Sequence, residues 1–215
     1  MTIRAVVFDV GETLVDETRI WSDWADWLGV PRLTFLAVVG ALIERGTDHR
    51  DPIRLFRPDI DFAVERERRQ AAGRPDEATI DDLYPDAVPA LEAMLAAGYR
   101  VGIAANQPTT IEQLFNDLGL QLDLVAASET WGIHKPDPAF FARIATELDL
   151  PPTEIAYVGD RLDNDIAPAV AAGMAAIFIR RGPWGWIQAG RSSPPAAAAT
   201  IDSLAELPEV FARLG

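Results

Sequence analysis

FDVGETL, residues 8–14, follows an apolar run and places a carboxylate, Asp9, where a strand would end. Asn106 follows a second such run, Asp160 and Asp165 in GDRLDND follow another, and GIHKPDP carries Lys135. In an open parallel sheet, ligands bind outside the carboxyl ends of the strands, so residues distant in sequence can converge there. Two carboxylates from separate strand ends can share a hard divalent cation. Mg2+ takes one or two protein carboxylates and fills its remaining positions with water and substrate phosphate. A lysine then balances the remaining negative charge. The chain has no cysteine and only two histidines, His49 and His134, far apart in sequence. Disulfides, thiolate chemistry and Cys-ligated zinc are excluded, and a histidine triad has no basis. Covalent chemistry must therefore run on carboxylate, hydroxyl or lysine.

These residues need a scaffold that brings strand ends together. Five short apolar or β-branched runs, at 3–10, 99–106, 122–128, 154–160 and 175–181, predict strands. Helical patterns separate the last four, which argues for βα units and a parallel sheet covered by helices on both faces. Gly98, Gly119 and Gly173 mark helix ends. The expected fold class is α/β. Between the first two strands lie about ninety residues without a strand pattern, in which TRIWSDWADWLGV, LTFLAVVGALIERG and IDFAVERERRQAAG read as helices. This is a helical insert followed by one returning core helix, and an insert at that point would sit over the strand ends. The run SSPPAAAAT (192–200) reads as a loose connection before a last short element, TIDSLAEL.

At 215 residues the chain can hold one substantial core or a core with a small accessory domain. Hydrophobic residues at 49% and charged residues at 24% fit a soluble protein, and no run approaches the roughly 18 apolar residues of a membrane span. The N-terminus lacks the pattern of a secretory signal, so a cytoplasmic protein is expected. A net charge of −14 would repel a phosphate backbone and argues against nucleic acid and anionic membranes as partners. A small anionic substrate remains compatible if a metal and a lysine supply local positive charge.

In order and spacing, FDVGETL, AANQP, HKPDP and VGDRLDNDIAPAVAAGM resemble the four motifs of the haloacid dehalogenase-like hydrolase superfamily, and the resemblance covers nearly the whole chain. It implies a Rossmann-like core over 1–15 and 86–215, with a helical cap domain over 16–85. It further implies Asp9 as nucleophile and Mg2+ held by Asp9, the Gly11 carbonyl and Asp160. Lys135 would neutralise the nucleophile and the transferred group, Asp165 would order Lys135 or a metal-bound water, and Thr13 would hydrogen-bond within its loop. The implied activity is a Mg2+-dependent phosphohydrolase acting on a small phosphorylated metabolite, with Asn106 near the substrate. RRGPWGW is familiar from bacterial members, with no activity attached to it.

Two positions depart from the pattern. Phosphatases of the superfamily carry an acid/base Asp two residues after the nucleophile, where this chain has Gly11, and a hydroxyl in the second motif, where it has Ala105. The acid/base role is worth about 10²–10⁴ in rate. Its absence matters less for a leaving group that needs no proton, as in the haloacid dehalogenases and phosphonoacetaldehyde hydrolases. Dehalogenation uses no metal, so the complete acidic motif argues against it, as does the lack of an assignable arginine to hold a carboxylate and halide. A weak or inactive relative that binds a phosphorylated ligand or a protein partner is the alternative. Glu12 is the nearest replacement acid, its simpler reading being a solvated turn residue. Trp21, Trp24 and Trp27 line one helical face and read as packing between cap helices. ERERRQ (65–70) reads as a solvated face and His134 as a loop residue; Asp160 and Asp165 could merely cap the following helix, but the matching Asp9 and Lys135 favour a site.

Overall fold

The computed structural model describes residues 2–47, 51–190 and 197–214. His49 and most of the run 192–200 lie outside them. The chain divides into two compact units, Met1–Asp16 with Leu83–Gly215, and Glu17–Asp82.

The first unit is built on a six-stranded, all-parallel sheet, in the order β3-β2-β1-β4-β5-β6. Its strands are β1 (Ala5–Phe8), β2 (Arg100–Ala105), β3 (Leu124–Ala127), β4 (Ile155–Gly159), β5 (Ala175–Ile179) and β6 (Ala199–Ile201). β1 is central and every side chain in it is buried, as a continuous AVVF run requires of a strand covered on both faces. It pairs Phe8 with Ile103 of β2 on one side and with Val158 of β4 on the other. That register brings the ends of three strands within two residues of one another, and Asp9, Asn106 and Asp160 follow those ends directly. Phe140, Phe141, Ile144, Tyr157 and Ile166 fill the core on one face.

Helices of the second unit are α1 (Thr18–Leu28), α2 (Arg32–Glu44), α3 (Asp51–Phe56) and α4 (Phe62–Ala71). Those of the first are α5 (Ala87–Ala96), α6 (Thr110–Asn116), α7 (Ser128–Trp131), α8 (Pro138–Glu147), α9 (Ala167–Ala171), α10 (Gly182–Ala189) and α11 (Leu207–Leu214). No single helix among the described residues is long and apolar enough to cross a membrane.

The five expected strands form, each slightly shorter than its apolar run. β6 departs from expectation: Ala199 and Thr200 belong to an edge strand, pairing with Ile177 and Phe178, rather than to a loose connection. Three residues, Ala-Thr-Ile, are too few for an alternation to register.

In the second unit the tryptophan face packs inward. Trp21 lies against Phe35 (centroids 6.3 Å apart) and Trp24 edge-on to Phe62 (6.3 Å). The ERERRQ run is solvated at Arg66, Glu67, Arg68 and Gln70 as expected, but Glu65 and Arg69 turn inward. Glu65 is buried and accepts hydrogen bonds from Trp27 Nε1 (2.5 Å) and Arg68 (3.3 Å). Arg69 is fully buried, with its guanidinium 4.3 Å over the Trp24 ring. Both charges have aromatic or ionic partners within the same unit, which a charge run read in isolation cannot reveal.

Candidate active site

Four loops of the sheet unit meet at one residue. Lys135 Nζ donates to Asp9 Oδ1 and to Asp165 Oδ1, each at 2.6 Å. Lys135 is 4% exposed and Asp165 is fully buried. Local chemistry explains the position of each. Asp137 caps α8 by accepting from the Ala139 N–H (2.8 Å) with Pro138 in the first turn, so HKPDP ends as a helix start and leaves Lys135 just ahead of it. The Asn106 side chain clamps the Lys135 backbone from β2: its Oδ1 accepts from the Lys135 N–H (2.7 Å) and its Nδ2 donates to the Lys135 carbonyl (2.9 Å). Tyr157 of β4 lies beneath, with the Lys135 ammonium 5.4 Å from its ring centre and its hydroxyl bonded to the Ala104 carbonyl (2.8 Å).

After β4 the chain enters a wide helical turn, Leu162–Ile166. Asp165 projects back from it, accepting from the Arg161 N–H at 3.0 Å. This return needs a glycine at 159. A Cβ there would lie 2.6 Å from the Asp165 side chain. Gln188 of α10 fixes the outer edge of the turn, accepting from the Leu162 N–H (2.5 Å) and donating to Asp163 (2.9 Å).

Oxygens of Asp9, Asp160 and Asp165 lie within 4.8 Å of one another. Burial, then the like charges of Asp165, Asp9 and Glu12, push the Asp160 carboxyl well above the usual carboxylate range. Burial and Asp9 raise Asp165 against the pull of Lys135. Burial alone would lower the Lys135 ammonium, but Asp165 and Asp9 outweigh it and hold the group well above an ordinary lysine. Three buried carboxylates against one ammonium leave a formal charge of −2. Asp160 Oδ2 is buried with no hydrogen-bond partner among the described residues. A divalent cation fits this all-oxygen donor set and its charge.

The family model of haloacid dehalogenase-like hydrolases matches residues 3–173. The chain belongs to this family. A phosphatase of Mycobacterium tuberculosis (strain CDC 1551 / Oshkosh), MT3486, is 30% identical over 84% of this chain and 89% of its own length. A glyceraldehyde 3-phosphate phosphatase of Methanopyrus kandleri is 37% identical over 47% of this chain and 45% of its own. The match spans about half the length of that relative and of its Methanocaldococcus jannaschii counterpart, at 57%. Among solved structures, a haloacid dehalogenase-like phosphatase from Thermococcus onnurineus superposes with a TM-score of 0.62, at 26% identity over 97% of this chain and 98% of that one. A 2-haloacid dehalogenase from Pseudomonas syringae pv. Tomato DC3000 gives 0.63, at 25% identity over the whole of both chains.

Within this haloacid dehalogenase-like site, Asp9, Lys135, Asp160 and Asp165 come together as one cluster. Asn106 is adjacent, but both polar atoms of its amide bond the Lys135 backbone. Thr13 is fully buried, and its hydroxyl lacks a partner among the described residues, so the expected bond within the loop does not form. Asp165 bonds an ammonium and the Arg161 N–H just ahead of the turn, which is more than the capping role its position allowed. Glu12 is not a solvated turn residue but is 4% exposed. His134 is an exposed loop residue, as read. Sequence reasoning missed Tyr157, Gln188 and the steric need for Gly159. It also passed over one available signal: Lys135 is the only lysine in the chain, against 18 arginines.

Proposed function

We propose that this protein is a Mg2+-dependent phosphohydrolase that acts through an aspartyl-phosphate at Asp9 on a small phosphorylated metabolite. The observation that carries the reading is Lys135 bridging Asp9 and Asp165 beside the unpartnered Asp160 oxygen. Asp9, Asp160 and the Gly11 carbonyl would hold the cation, with Asp165 ordering its surroundings. Bound there, Mg2+ would supply electrostatic stabilisation of charge on the transferred phosphoryl group. The full set of acidic donors favours this reading over dehalogenation. The phosphatase names of the sequence relatives point the same way, and glyceraldehyde 3-phosphate and phosphoglycolate in those names indicate the size of the substrate. Selection among such compounds is assigned to the helical insert acting as a cap.

In this mechanism a carboxylate oxygen of Asp9 attacks phosphorus in line, forming an acyl-phosphate bond as the ester P–O bond breaks. Lys135 pairs with Asp9 and balances charge on the phosphoryl oxygens. Water then cleaves the acyl phosphate and restores the carboxylate. Gly11 offers no proton to the departing oxygen, so esters whose leaving group is stable as an anion are the better substrates. Removing an acid/base group costs about 10²–10⁴ in rate, and that is the handicap expected for alkyl esters.

A screen of aryl, acyl and alkyl phosphates with Mg2+, on wild type, Asp9→Asn and Gly11→Asp, tests this. Wild type should prefer aryl and acyl phosphates, Asp9→Asn should be inactive, and Gly11→Asp should raise turnover of alkyl esters selectively. Equal inactivity of wild type and Asp9→Asn across the panel would favour a ligand-binding relative, a reading that Gly11 and Ala105 also support.

A further inference from the structure

Glu12 and the RRGPWGW run have no task in the chemistry above, and they meet in the sheet unit. Glu12 has φ 53°, in the left-handed region that non-glycine side chains avoid. Such strain persists only where the surroundings over-determine the conformation. Here three groups do so. The Tyr84 hydroxyl donates to Glu12 Oε2 at 2.6 Å. Burial, with the charges of Glu12 and Asp16, raises Tyr84's pKa and so keeps that hydroxyl a donor. Gly182, itself at φ 62°, forms the wall of the notch: a Cβ there would lie 2.2 Å from Glu12 Oε2 and 2.6 Å from Glu12 Cβ. Arg181 closes the frame, stacking 4.1 Å over the Tyr84 ring and donating to the Thr13 carbonyl (3.0 Å) and to Asp86 (2.5 Å). The Tyr84 N–H bonds the Leu14 carbonyl (2.9 Å). The nucleophile loop is therefore gripped at Glu12, Thr13 and Leu14 by Tyr84 and the first residues of RRGPWGW.

A buried carboxylate three residues after the nucleophile could carry a proton or could hold the loop. The Glu12 oxygen that bonds Tyr84 is walled by Gly182, which is the geometry of an anchor. We propose that Glu12 is a positioning residue. Seated in the Tyr84–Gly182 notch, it fixes the nucleophile loop and with it the placement of Asp9 and the Gly11 carbonyl. This rests on the phosphohydrolase reading, and the test below separates the two.

Glu12→Ala, Glu12→Gln, Gly182→Ala and the Glu12→Ala/Gly182→Ala double variant are compared with wild type. The readouts are p-nitrophenyl phosphate kinetics with Mg2+ across pH, and thermal unfolding. Misplacement of reacting groups by about 1 Å can cost about 10²-fold, so Glu12→Ala should lower kcat by roughly ten- to a hundredfold with KM little changed. Its pH profile should keep both limbs. Glu12→Gln, whose amide oxygen can still accept from Tyr84, should recover most of that loss. Gly182→Ala should lower kcat and the unfolding temperature, and much less so when Glu12 is already Ala, because the clashing partner is gone. The left-handed strain at position 182 is common to both backgrounds and cancels in this comparison. Glu12→Gln as slow as Glu12→Ala, with a limb of the pH profile lost, would make Glu12 a proton carrier and overturn the proposal. Additive effects of the two alanines would also overturn it. Wild type without turnover would end the hydrolase reading on its own; the notch then stands or falls on whether the unfolding temperatures are non-additive.

Discussion

Asp165 reaches Lys135 only because position 159 has no side chain. A methyl group on Gly159 would overlap Asp165 Cβ, Cγ and Oδ2, all at 2.6 Å, and in a packed strand end neither side can retreat. Gly159→Ala should cost about 1–3 kcal/mol of stability by overpacking. It should also weaken Mg2+ binding by displacing Asp165, which unfolding and titration calorimetry would measure; unchanged values would mean that Asp165 can relocate freely. At this scale the sequence was informative about chemistry and poor about contacts. Asp9, Asp160, Asp165 and Lys135 were legible because strand ends limit where a carboxylate or ammonium can be. Burial of Glu12 was not, because its partner Tyr84 is 72 positions away, across the whole helical insert. Thr13 was assigned a hydrogen bond by analogy of position, and its hydroxyl meets no acceptor or donor among the described residues.

The elements that support the site divide by the length of their signal. β1, β2, β4 and β5 were readable from runs of apolar residues, whereas the three-residue β6 was hidden in an alanine-rich stretch. RRGPWGW carried no periodic message, yet its second and third residues, Arg181 and Gly182, brace the nucleophile loop, and α10 supplies Gln188 to the acidic turn. At the start of α5, Asp86 ties this region together. It accepts from Arg181 (2.5 Å), Ser203 Oγ (2.7 Å) and the Leu204 N–H (3.0 Å). Burial pushes its carboxyl up, but the bonds from Arg181 and Ser203 prevail and hold it below the usual range. A carboxyl lowered on folding adds stability above its unfolded value of about 4, and the gain disappears as pH falls through the lower folded value. Asp86→Asn should therefore be less stable than wild type at neutral pH, with the gap narrowing as pH drops below about 4. Denaturant unfolding across pH would check this, and a gap independent of pH would show that charge is not the source.

Across the whole molecule, a chain of net charge −14 concentrates three buried carboxylates and its single lysine at one end of the sheet. Adding Mg2+ should raise the unfolding temperature of wild type, and go on raising it with the logarithm of Mg2+ concentration above Kd, since a ligand that binds only the folded state stabilises it. Asp160→Asn should remove most of that response. An equal response in both would place the cation elsewhere on the acidic surface. The covalent step offers the most direct test of the central claim. Wild type quenched in acid during turnover of an aryl phosphate with Mg2+ should carry one phosphoryl group on the peptide containing Asp9, seen by mass spectrometry. The label should be absent from Asp9→Asn, which should also be inactive. Turnover that persists in Asp9→Asn, or wild-type turnover with the label on another residue, would contradict the account.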